Sequence, residues 1–169
     1  MSRKGFTLIE FLVVFFVIGL VGTLAVVAVD AARSKQRDAA RLSNVRQIQS
    51  AVEDFFVENN RYPTGQSIPL GNAQAVCLAT DDFQGVCDVA ATNVILRVVP
   101  AQLSSGLKGY SSCGGVTNAF CYTNVQEGAT YTIQFELENT VPLTKLSRGL
   151  NCATPDGMKA GACPPVSTP

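Results

Sequence analysis

Hydrophobic residues run almost without a break from Phe6 to Val29, with Glu10 as the single charge among them. A helix needs roughly 20 apolar residues to cross a bilayer core, so this stretch is long enough to span one. Beyond Asp30 the pattern becomes amphipathic. Leu42, Val45, Ile48, Val52, Phe55 and Phe56 form one stripe of a helical period of about 3.6 residues. Arg37, Asp38, Arg41, Arg46, Glu53 and Asp54 take much of the remaining surface. No proline falls between Phe6 and Asn60, and Asn59-Asn60 followed by Pro63-Thr64-Gly65 ends the run. The pattern predicts one helix over 6–60, about 80 Å long. Its first half is apolar all round, and its second half needs a partner along one stripe. Gly19 and Gly22 are the soft points, each costing roughly 1 kcal/mol relative to alanine.

Between residues 61 and 119 the prolines and glycines, among them Pro63, Pro69, Gly85, Pro100, Gly114 and Gly115, cut the chain into short pieces. A short helix interrupted near Pro100 is expected over 91–103. From Phe120 the period shortens to two. Residues 120–124 and 131–137 read as strands joined through Gln126-Glu127-Gly128. Tyr131, Ile133, Phe135 and Leu137 share one face of the second strand, while Thr132, Gln134, Glu136 and Glu138 share the other. That alternation predicts an antiparallel sheet with one covered and one solvated face. Its cover is the Leu42–Phe56 stripe. After Pro142 a strand around 150–153 is expected at the sheet edge, and the tail 164–169 is expected to fray. The fold class is therefore α+β, a long N-terminal helix packed on a small antiparallel head.

Composition changes this picture in three ways. The 169 residues suffice for one domain plus an extended element, and the formal charge is zero. Without residues 1–5 the chain keeps 11 basic against 13 acidic residues, a net of −2, which gives polyanions no general attraction. The chain has no histidine, hence neither the usual general base of neutral-pH catalysis nor the commonest metal ligand. No enzyme, metal or cofactor is expected. All six cysteines, Cys77, Cys87, Cys113, Cys121, Cys152 and Cys163, follow the apolar run. An even count without Cys-x-x-Cys spacing favours disulfides in an oxidising compartment. Six cysteines allow 15 pairings. The local set 77–87, 113–121 and 152–163, which closes three short loops, is taken as the working assignment.

The charges near the start carry the sharpest chemistry. A carboxylate at mid-bilayer costs roughly 2.5–3.5 kcal/mol on insertion scales, so Glu10 needs compensation. Cutting after Gly5 would create a cationic amine on Phe6, one turn from Glu10. Such a cut precedes the apolar run, unlike that of a secretory signal peptide, so the run stays in the product. Arg3 and Lys4 argue for a cytoplasmic N-terminus, although Arg33, Lys35 and Arg37 on the far side weaken the contrast. The cysteines argue that the C-terminal part is exported.

The stretch Gly5-Phe6-Thr7-Leu8-Ile9-Glu10, with the apolar run behind it, resembles the N-terminus of type IV prepilins and of type II secretion pseudopilins. Gln47 to Phe56, leading into Asn59-Asn60-Arg61-Tyr62-Pro63, is similar to the end of the long helix in that family. The resemblance implies a leader of residues 1–5, a transmembrane and assembly half-helix over 6–30, and an exported head over 31–169. It implies cleavage by a prepilin peptidase between Gly5 and Phe6, N-methylation of Phe6, and assembly through Phe6 and Glu10. The implied partners are further copies in a helical filament, an inner-membrane platform and an assembly ATPase. The protein would sit in the cytoplasmic membrane with its N-terminus inside, then in a surface filament. The favoured function is a type IV pilus-like filament for adhesion, motility or DNA uptake. The alternative is a pseudopilin of a type II secretion system, and a third reading is a membrane-anchored binding domain.

Two departures from the family stand out. Leu24-Ala25-Val26-Val27 lacks the proline many members carry, and the tail has only Asp156 where major pseudopilins tend to have an aspartate-rich calcium loop. Calcium is therefore not carried over. Blander readings apply elsewhere. Arg33, Lys35, Arg37, Arg41 and Arg46 are expected at lipid headgroups or paired with acids such as Asp30, Asp38 and Glu53 on neighbours, with DNA the less favoured partner. Asp81, Asp82 and Asp88 read as a solvated loop rather than a cation site. Glu136 and Glu138 read as the polar face of a sheet rather than a catalytic pair. Gly109 to Gly115 lacks the Gly-Lys-Ser/Thr of a phosphate loop and reads as a turn.

Overall fold

The structure is a computed structural model that describes residues 5, 7–87 and 93–165. Helix α1 spans Leu8–Asn59 without interruption, about 78 Å at the usual rise. Its start is set by a capping box. The Thr7 hydroxyl accepts from the Glu10 amide at 3.3 Å, and the Glu10 carboxylate accepts from the Thr7 amide at 2.8 Å. Its end is set by Asn60, which takes a left-handed conformation (φ 52°) and donates its N–H to the Phe56 carbonyl at 2.8 Å. Residues 8–33 are exposed throughout, and Asp38 is the first buried residue of the helix.

Five strands form the main antiparallel sheet: β1 (Ile68–Leu70), β7 (Phe120–Val125), β8 (Thr130–Leu137), β9 (Gly149–Thr154) and β10 (Gly157–Ala160). They lie in the order β1-β7-β8-β9-β10. Three short strands, β2 (Cys77–Ala79), β3 (Phe83–Gln84) and β4 (Val94–Leu96), make a second sheet in the order β3-β2-β4. Strands β5 (Ser112–Cys113) and β6 (Val116–Thr117) form a small hairpin whose turn uses positive φ at Gly114 and Gly115. The main core is one cluster, with a small second one at Cys113, Ala119 and Cys121. Val45, Ile48, Val52 and Phe55 of α1 pack with Tyr122 of β7, Tyr131, Ile133, Phe135 and Leu137 of β8, and Ala153 of β9. The amphipathic stripe thus covers the inward face of the sheet, where each large side chain contributes about 1.5–3 kcal/mol of burial.

Three expectations need correction. Val94–Leu96 is a strand, not part of a helix, and pairs with β2 through Leu78↔Leu96 and Ala79↔Val94. A β-branched pair in a short apolar run suits a pleated, half-buried position, and residues 91 and 92 of the expected helix lie outside the described residues. Strand β9 is interior, because β10 turns back antiparallel beside it and takes the edge. The outer face of β8 is not open to solvent, since Thr132 is 7% and Glu136 1% exposed. The Glu136 carboxylate accepts from the amides of Lys108 and Tyr110, each at 2.8 Å, and of Ser111 at 3.2 Å. The loop crossing that face brings its own unpaired N–H groups to be satisfied, and a carboxylate there satisfies them. Glu136 and Glu138 are therefore not a solvated pair.

Candidate assembly segment and helix–head joint

The apolar half of α1 carries its side chains into the surroundings of the protein. Phe11, Phe15, Phe16, Ile18, Leu20 and Leu24 are all at least half exposed. By length and composition this helix can cross a membrane. Its acid is already partnered locally. The Thr7 hydroxyl donates to Glu10 Oε2 at 2.7 Å, and the Thr7 amide donates to the same oxygen at 2.8 Å. Glu10 Oε1 takes no part in either bond. Phe6, the expected new N-terminus, methylation site and partner of Glu10, lies outside the described residues, as do Arg3 and Lys4. Gly5 is exposed, and a Cβ built there meets nothing within 4 Å. Among the described residues nothing packs against Gly5 to demand a glycine there. Gly19 and Gly22 likewise face open space inside an unbroken helix.

Where α1 enters the head, charge is buried. Arg41 has no exposed surface and Asp38 is 2% exposed. Arg41 Nη1 donates to Asp38 Oδ1 at 2.8 Å and to Glu138 Oε1 at 2.7 Å. Its Nε and Nη2 donate to the Leu103 carbonyl at 2.9 and 2.7 Å, and Nη2 also donates to the Ser105 carbonyl. Arg37 closes the group with a bidentate pair to Glu138, both bonds 2.7 Å. Asp38 in turn accepts from the backbone amides of Glu138 and Asn139, each at 2.9 Å. The Arg37 hydrogen bond, reinforced by Arg41, holds the Glu138 carboxyl below its ordinary range, and Glu138 raises Arg37 in return. One helical turn is thereby tied to the end of β8 and to the loop over 103–105.

This joint overturns the expectation that Arg37 and Arg41 serve lipid headgroups or neighbouring subunits. Both are engaged within their own chain, whereas Arg33, Lys35 and Arg46 are exposed. A signal for it was present. Asp38, Arg41, Val45, Ile48, Val52 and Phe55 continue one three–four repeat, so the polar pair lies on the buried stripe. Glu53 is also occupied internally, accepting from Tyr62 at 2.9 Å and Tyr131 at 3.1 Å. Burial, with Glu53 adding to it, pushes the Tyr62 hydroxyl up to about 12, and burial likewise raises Tyr131.

The remaining candidates are structural. Disulfides join Cys77 to Cys87, Cys113 to Cys121 and Cys152 to Cys163. Asp82 accepts from the Thr64 amide at 2.6 Å and from the Thr64 hydroxyl, and Arg61 lies 3.7 Å away. Asp88 lies outside the described residues. Among the described residues no three His, Cys, Asp or Glu side chains converge as a metal site.

Residues 1–26 match the family model described as the prokaryotic N-terminal methylation motif. The type II secretion system core protein G of Klebsiella michiganensis is 32% identical over 63 residues, 37% of this chain and 44% of that protein. The proteins of the same name from Aeromonas hydrophila and Pectobacterium carotovorum subsp. carotovorum are each 31% identical over 62 residues. Those matches cover 37% of this chain and 43% and 40% of theirs, so the chain spans less than half the length of the curated relatives it matches. No solved structure matches significantly. The family these belong to is built of structural subunits rather than enzymes, and its N-terminal motif fits a protein anchored in the membrane by an apolar helix. A methylation-type N-terminus ahead of a bare apolar half-helix, together with the partial likeness to these secretion proteins, makes this chain similar to the type IV pilins and pseudopilins.

Proposed function

We propose that the protein is a filament subunit of a type II secretion pseudopilus, cut between Gly5 and Phe6, methylated on Phe6 and polymerised through α1. The observation that carries polymerisation is the exposed apolar half-helix with one acid at its head. Before assembly that surface is covered by lipid, with the N-terminus on the cytoplasmic side and the head exported. After assembly it is covered by the same surface of neighbouring subunits. A head-to-tail contact that does not close on itself gives an open helical fibre. Glu10 Oε2 stays with Thr7, and Oε1 receives the Phe6 amine of the adjacent subunit. Thr7 thus lowers the cost of an unpaired acid in the lone subunit, and the amine adds a charge partner in the polymer.

The choice of filament rests on the relatives, whose names place them in type II secretion. This reverses the order of preference reached from the sequence, where the surface pilus came first. The aspartate-poor tail and three-disulfide head still favour a surface pilus, and the experiment separates the two. In the native host, Gly5→Asp is expected to leave an uncut precursor of higher mass and no filaments. A processed product of ordinary size would sink the proposal. Deleting the gene is expected to trap a secreted protein in the periplasm. Intact export with loss of surface fibres would transfer the assignment to a pilus.

A further inference from the structure

Where α1 runs along the head it keeps one face uncovered, and charge is not spread evenly over that face. Arg46 stands on one flank and Asp54 and Glu58 on the other, and all three are exposed. At about 100° per residue, Arg46 lies roughly 80–120° around the helix from the two acids, which are themselves about 40° apart. The acids line a groove of about 350 Å³ between the last turns of α1 and strand β4, which Thr80 and Asn93 also line. Val57, between them in sequence, lines the same groove and is 83% exposed. Among the described residues neither acid forms an ion pair or a side-chain hydrogen bond, and nor does Arg46. Arg37, Asp38, Arg41 and Glu53, by contrast, are all engaged within the chain itself.

The groove offers acceptors to a cation. A metal ion is not the match, since no third His, Cys, Asp or Glu converges there among the described residues. An arginine fits better, because its planar fork can engage two carboxylates placed about 6 Å apart along one helix. Arg46 of the same chain cannot supply it, being about 12 and 18 Å away along the axis and on the other flank. Lipid does not account for Arg46 either. It lies about 25 Å past Val29, the end of the apolar run, whereas a headgroup layer is roughly 5–8 Å deep. A second copy of this chain resolves both. Helices anchored from the same side of one membrane run parallel, and a shift of about 12–18 Å brings the basic flank of one onto the acidic flank of the other. Each copy then keeps one flank open, so the contact propagates without closing. We infer that Arg46 of one copy pairs with Asp54 and Glu58 of another and sets the axial step between their heads. The inference rests on the filament reading above and names the surfaces through which the heads come into register.

The test uses the full chain in the native host. Arg46→Glu sets three acids against one another and is expected to cut the yield of sheared filaments about tenfold. Asp54→Arg together with Glu58→Arg is expected to do the same. Combining all three changes restores the pairing with its signs exchanged, and is expected to return the yield to within about twofold of the unaltered chain. Cleavage after Gly5 and recovery in the membrane fraction are expected to be unchanged throughout, because the altered side chains are exposed. A second measurement leaves every charge in place. Photoreactive p-benzoylphenylalanine at Val57 is expected to join two copies through the segment around Arg46, located by mass spectrometry. Full filament yield from Arg46→Glu overturns the pairing and spares the filament reading. So does a combined variant that is cut normally but recovers no filaments, or a crosslink from position 57 to lipid or to another segment of the neighbour. An unaltered chain that gives neither filaments nor crosslinked copies overturns both.

Discussion

Arg41 presents five N–H donors in a fixed planar fork, and five hydrogen bonds to four oxygens meet them. A buried cation is tolerable only under such complete satisfaction, and its removal leaves the buried Asp38 and the half-buried Glu138 each short of one partner. Arg41→Met is therefore expected to lower stability by about 3–5 kcal/mol, read by urea unfolding in detergent through near-ultraviolet circular dichroism. Arg41→Lys is expected to recover little of it, because an ammonium cannot reproduce the fork. Loss below 1 kcal/mol for Arg41→Met would show that the joint contributes little. The same group sets an acid limit. Glu138 has a folded-state pKa below its ordinary value of 4.5, so its contribution is present above that value and is lost as pH falls through the lower one. The thermal midpoint is expected to drop on acidification below about 4.5, and Glu138→Gln to flatten that limb of the profile. An unchanged acid limb in the variant would assign the effect to other carboxylates.

At the scale of elements, α1 and β8 illustrate how far pattern reading reaches. The helix and the strand pair 120–125 and 130–137 were legible because a period near 3.6 or of two repeats long enough to be distinguished. Strands β1 to β6 were not, since two or three residues carry no period, and β1 even contains Pro69. Proline is admissible there because β1 is an edge strand. The polar side of β8 was misread for a different reason. Alternation identifies two faces, but nothing local says that a distant loop covers the second one. Glu136 is the consequence, a carboxylate buried because it anchors three amides of that loop. Glu136→Gln replaces one acceptor oxygen with an NH₂ facing donors. It is expected to cost about 1–3 kcal/mol and to raise amide exchange at Lys108, Tyr110 and Ser111. Exchange unaltered at those three amides would mean that the loop is held by something else.

For the molecule as a whole, the load is divided between a main apolar cluster and three crosslinks. The α1 stripe and the main sheet make the cluster, while each disulfide closes a loop of about ten residues or fewer beside it. Replacing Cys152 and Cys163 together by serine is expected to lower stability by about 2–4 kcal/mol and to loosen the segment after β10 first. Limited proteolysis would detect the cut there, and cleavage beginning at the α1–sheet contact instead would contradict this division. The apolar half-helix contributes nothing to head stability, being exposed from Leu8 to Arg33. Its contribution belongs to whatever surrounds it.

The sequence by itself determined the long helix, its apolar and amphipathic halves, the central strand pair and the Gly5–Glu10 motif. All of these are properties of neighbours along the chain. Only the tertiary structure decided that Arg37 and Arg41 lock onto Glu138, about a hundred residues away, rather than onto lipid or a neighbouring subunit. It also decided that Glu136 is buried and that Asp54 and Glu58 line one groove with β4. The reason is that the fate of a charge or an amide depends on what the fold brings opposite it. A residue's own chemistry states only what it needs.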